Sequence, residues 1–174
     1  MSTTFSSATQ QTVRNSKSRQ IIAVIQIILL VVAAFMPFIE NMFIWRTGSL
    51  YGSYINISHM SLENLMTTQE IGAGPIAFYA FYVILIATIL YCLLHIFIEN
   101  PWFKKKFTIA LPSLALILSA IMIFSADAYH DSFTYGGDLR IVNVNIEFPA
   151  YILLVVIAAV VLLEVYKQVK LADN

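Results

Sequence analysis

Five residues outside the apolar stretches have the types and spacing of metal ligands. Asp127, His130 and Asp131 fall at i, i+3 and i+4, and His59 with Glu63 falls at i, i+4; on a helix each set shares one face. Imidazole nitrogens with carboxylate oxygens are the donor set of a divalent-metal site, and the five could converge on one ion if their two segments fold together. Two hydrogen-bonded or ion-paired clusters at helix ends explain the same residues. That reading is carried forward, with the metal site behind it.

Inside the apolar stretches polar chemistry is sparse. Gln26 and His95 are the exceptions, and Glu164 sits about a turn from the end of the last stretch. An ionisable group in lipid costs several kcal/mol unless paired, so each such residue is a default functional candidate. His95 shares a helical face with Tyr91 and Glu99, which reads as an interfacial hydrogen-bonded or ion-paired cluster ahead of a proton relay. Gln26 reads as interhelical glue ahead of a substrate ligand. A haem held between spans needs two histidines, and only His95 lies in one. Cys92 is the only cysteine, so a disulfide or CxxC chemistry within one chain is excluded. With a formal net charge of zero, bulk electrostatics gives no argument for nucleic acid. The expectation is a protein that is not an enzyme and carries no cofactor.

The elements that must position these residues are set by lipid. The 174-residue chain is 59% hydrophobic and only 11% charged, a balance foreign to a soluble domain. Apolar runs at about 21–39, 76–98, 107–126 and 148–166 approach the ~20 residues that cross ~30 Å of hydrocarbon. Between the second and third lies the loop 99–106, whose Lys104, Lys105 and Lys106 make it the strongly basic short connection. Such loops stay in the cytoplasm. Arg14, Lys17 and Arg19 in segment 1–20, and Lys167 and Lys170 before the tail 171–174, fall on the same side; Arg46 and Arg140 alone fall on the other. Both termini are therefore expected in the cytoplasm. Segment 1–20, rich in Ser, Thr and Gln without an acid, reads as a flexible tail.

The expected outer segments are 40–71 and 127–147. Pro37 predicts a kink from which the first helix runs on toward Trp45. Residues 42–47 and 50–58 read as two strands around Thr47-Gly48-Ser49, with Gly52 as a bulge, followed by a short helix over 61–69. Pro75 suits the first turn of the second span. In the other segment Tyr135-Gly136-Gly137-Asp138 is a turn signal. From Arg140 to Phe148, Val142, Val144 and Ile146 alternate with Asn143, Asn145 and Glu147, the period of a strand. A lone strand is unstable, so it is expected to pair with the first segment. The fold class is an all-α membrane protein: a four-transmembrane-helix bundle with a small extracytoplasmic β-sheet cap.

Four spans, cytoplasmic ends and a longer first outer loop resemble the plan of the claudin-type tetraspan proteins. Trp45-Arg46 followed by Leu50-Tyr51-Gly52-Ser53-Tyr54 is loosely similar to their Trp and Gly-Leu-Trp signature, while their paired outer-loop cysteines are absent. The similarity is architectural and carries over no sealing or pore residue. Because aromatic residues and strand edges lie where chemistry does not, the functional expectation is a cell-membrane assembly or accessory subunit. It would bind a protein partner or a second copy through Trp45, Tyr51 and Tyr54. A small homo-oligomeric transporter or channel is the alternative, and a metal-binding protein or enzyme comes third.

Overall fold

In lipid a chain must satisfy its backbone polar groups internally, which favours long uninterrupted helices. The computed structural model describes residues 3–49, 55–67, 74–97, 105–135 and 138–170. Four of its helices are α1 (Thr3–Phe35), α3 (Gly74–Phe97), α4 (Lys105–Asp127) and α5 (Phe148–Lys170), with the short α2 (Leu62–Thr67) between the first two. Stretches Lys17–Phe38, Pro75–Leu94, Thr108–Asp127 and Phe148–Lys170 are long and apolar enough to cross a membrane, the mark of an integral membrane protein. Segment 1–20, expected as a flexible tail, is helical from Thr3 onward. It contains neither Gly nor Pro, and extending a helix that the span has already nucleated costs little per residue.

The prolines act as their missing N–H dictates. Instead of kinking and running on, α1 stops at Phe35. A single 3-10 turn, Met36–Phe38, contains Pro37, and Ile39 is extended. The Tyr82 hydroxyl of α3 donates to the Ala34 carbonyl at 2.7 Å, satisfying a backbone acceptor at the broken end. Rings of Phe38, Phe78, Phe81 and Tyr82 pack around this point with centroids 5.0 to 6.5 Å apart. Pro75 sits in the first turn of α3, where its lack of a donor does no harm. Pro112 lies within α4 and provides no N–H for the carbonyl of Thr108.

The segments linking α1 to α3 and α4 to α5 join in one antiparallel sheet of order β2-β1-β4-β3. Its strands are β1 (Phe43–Ser49), β2 (Ile55–Met60), β3 (His130–Tyr135) and β4 (Asp138–Ile146). The expected pairing between the two segments is the β1–β4 ladder, with Phe43 opposite Ile146, Trp45 opposite Val144 and Thr47 opposite Val142. Two local expectations are corrected. Thr47-Gly48-Ser49 is not a turn: β1 runs through it, and Gly48 lies between Ile55 and Ile141. Position Gly52 falls outside the described residues. The stretch 130–135 forms β3 and turns the second segment into a hairpin, because β4 offers its far edge as a template. Helix α2 agrees with expectation; Ser61 caps it, its hydroxyl accepting from the Asn64 N–H at 3.0 Å.

Helices α1, α3, α4 and α5 close into a ring in which each packs on two neighbours, and α2 wedges against α3 and α4 at the sheet end. Leu30, Phe81, Leu85, Met122, Leu153 and Ile157 fill the centre. Ala115 and Ser119 of α4, two small residues four apart, are fully buried, which lets a neighbouring helix approach closely. The core continues into the sheet through Met42, Phe43 and Val144 and into α2 through Leu62, Leu65 and Met66. The outer faces carry Val83, Leu90, Phe124, Val155 and Leu162, the surface expected against acyl chains. Phe43 is fully buried where sheet meets bundle. Phe43→Ala is expected to remove about 3–5 kcal/mol, read as a lowered thermal midpoint of the detergent-solubilised protein.

Candidate functional site

At the sheet end the register decides which side chains are presented. Residues paired across the ladder share a face, so Phe43, Trp45, Val142, Val144 and Ile146 turn toward the bundle. Trp45, expected as a displayed contact, is half-buried and stacked on Tyr129 with centroids 5.9 Å apart and planes at 26°. Its Nε1 donates to Thr47 Oγ1 at 3.1 Å. Tyr51 and Tyr54 lie outside the described residues. The opposite face carries Ile44, Ile57 and Ile141 beside Arg46, Asn143 and Asn145, with Ile57 55% exposed.

The five candidate metal ligands are dispersed. His59 is on β2 and His130 on β3, the two edges of the sheet. Three interstrand steps put them on the order of 14 Å apart. Neither i, i+4 relation survives, because helix α2 starts after His59 and α4 ends at Asp127. The carboxylates serve other partners. Asp127 Oδ1 accepts from the Ile146 N–H at 3.2 Å, Asp131 Oδ2 accepts from the Tyr129 hydroxyl at 3.0 Å, and Glu63 Oε1 accepts from Thr67 Oγ1 at 3.3 Å. Among the described residues no group of three His, Cys, Asp or Glu is arranged to hold a metal ion. The Tyr129 phenol is pushed above its ordinary pKa, first by burial and then by the hydrogen bond and charge of Asp131.

The dense polar constellation lies instead inside the bundle, in the half away from the sheet, and all four spanning helices supply it. Gln26 of α1 and Glu164 and Lys167 of α5 are at most 5% exposed. Lys167 Nζ forms an ion pair with Glu164 Oε2 and donates to Gln26 Oε1 at 3.4 Å. The Gln26 amide nitrogen donates to the Val160 carbonyl and to Glu164 Oε2, each at 3.2 Å. Gln168 Nε2 donates to Glu164 Oε1 at 3.2 Å and to Thr108 Oγ1 of α4. Tyr91 of α3 hydrogen-bonds with Thr108, and Cys92 Sγ lies 4.0 Å from Gln26 Oε1.

This constellation bears on two expectations. Gln26 does bridge helices, to α5, as interhelical glue would. Lys167, counted with the interfacial charges, is buried and paired, because three residues along a helix bring it over Glu164. The signal was present in that Glu–Lys spacing within an apolar run. Tyr91 turns to Thr108; His95 lies near the end of α3, and Glu99 is outside the described residues. Of the topology anchors, Lys104 is also outside them, while Lys105 and Lys106 open α4. No protein-family model, curated protein or solved structure matches this chain.

Removing one member of a buried ion pair strands the other, whereas removing both does not. In choline buffer, Glu164→Gln or Lys167→Met alone is expected to cost about 3–5 kcal/mol, and the double variant far less; thermal unfolding of the four proteins closes the cycle. A raised folded pKa means the Tyr129 contribution to stability is complete below the unfolded pKa and is lost as pH rises through the folded one. Asp131→Asn is expected to lower the Tyr129 pKa, followed by NMR of ring-labelled tyrosine.

Proposed function

We propose that this chain is a non-enzymatic multi-pass protein of a cell membrane, with both termini in the cytoplasm and the sheet outside. There it serves as an assembly or accessory subunit whose sheet meets a protein partner. The observation that carries this reading is the sheet face turned away from the bundle, where Ile57 is 55% exposed among isoleucine, Arg46 and asparagine side chains. Such a mixed apolar and polar face, bounded by the edge strands β2 and β3, suits a protein contact better than catalysis. The orientation is supported by charge. Lys17, Arg19, Lys105, Lys106 and Lys170 belong to the end remote from the sheet, against Arg46 and Arg140 in the strands, the bias that keeps basic ends inside.

A second reading, a small homo-oligomeric transporter or channel, is favoured by the buried Glu164–Lys167 pair, since charge retained in lipid commonly marks an ion or substrate route. Native mass spectrometry after gentle extraction from the host membrane separates the two. A stoichiometric foreign chain is expected; a monomer or homo-oligomer without one removes the accessory role and leaves transport, tested by flux in reconstituted vesicles. Cys92 is 2% exposed, so an introduced thiol reports its own position. On intact cells a membrane-impermeant maleimide is expected to label Asn56→Cys and to reach Lys170→Cys only after permeabilisation. The reverse pattern overturns the orientation.

A further inference from the structure

The polar groups around Lys167 are those a desolvated cation needs. Its ammonium touches Glu164 Oε2 and Gln26 Oε1. Both acceptors are held from behind. Gln26 Nε2 is committed to the Val160 carbonyl and to Glu164, which turns its Oε1 toward Lys167. Glu164 Oε1 is held by Gln168, itself anchored on Thr108. This shell is more than an ion pair requires, since apolar residues of similar volume could replace a buried pair at little or no loss.

We infer that Glu164 and Gln26 form a site for one monovalent cation, and that Lys167 fills it with its own ammonium in this structure. One carboxylate balances one positive charge. A sodium or potassium ion leaves the site neutral, whereas a divalent ion leaves uncompensated charge in lipid. Lys167 stands one helical turn before Lys170, at the end of α5, and its four-carbon stem is long enough to carry the ammonium toward the headgroups. The site can therefore exchange its tethered cation for a free one. The inference concerns the bundle interior and is independent of any partner on the sheet.

The test uses the purified full chain with Lys167→Met and, in parallel, Lys167→Gln. Thermal midpoints are measured in sodium, potassium and choline chloride at equal ionic strength. Each variant is expected to gain several degrees in sodium or potassium over choline, because an ion that binds only the folded state stabilises it by mass action. Wild type and the Glu164→Gln/Lys167→Met double variant are expected to have one midpoint in all three salts. Equal midpoints for both single variants in the three salts overturn the inference. So does failure of both to fold in any salt, since an ion able to replace the ammonium would restore them.

Discussion

The β1–β4 ladder is the constraint on which the rest of the structure depends. Each linking segment makes its own hairpin, and an isolated two-stranded hairpin is marginal in water. Joined through the ladder, the hairpins become a four-stranded sheet whose inward face, from Phe43 to Val144, covers the end of the bundle. The ladder is extended by the Glu147 N–H donating to the Met42 carbonyl at 2.9 Å. It also ties the start of α5 to the end of α1. At the far end Gln26, Glu164 and Lys167 connect the same two helices, so α1 and α5 are clasped at both ends of their contact.

How much of this was legible in the sequence depended on whether a signal was local. Span lengths and β4 were, because length in lipid and strict alternation over Val142 to Ile146 each point to one structure. β3 was not. Asp127, His130 and Asp131 fit helical spacing, and only the neighbouring edge of β4 makes the stretch extended. Thr47-Gly48-Ser49 has turn chemistry, yet Gly48 has open space where a side chain would stand and two strands to pair with. Tertiary pairing overrides such preferences routinely. At Pro37 the chain's direction after the break was set by where β1 had to lie.

The candidate site divided along the same line. Gln26 was visible as a polar residue in lipid, and its partners were not, since they lie on other helices. Lys167 stands near the end of an apolar run, where lysines usually reach the interface. Its burial follows from Glu164 one turn earlier and Gln26 across the groove. By residue type Trp45 suits an exposed contact, while the strand register puts it against Tyr129. Types and spacing named the polar residues of this chain; the packing of four helices decided which of them meet.

The pairing of Phe43 with Ile146 also sets a clock. About a hundred residues separate these partners, so at about 5–20 residues per second the ribosome takes roughly 5–20 s to deliver the second after the first. For that interval the inner edge of β1 has no native strand to pair with. An unpaired edge recruits whatever extended segment it meets. The sheet thus waits for β4, the element just before α5 in the chain, and the stage at which the nascent chain is most open to misassembly precedes the insertion of α5.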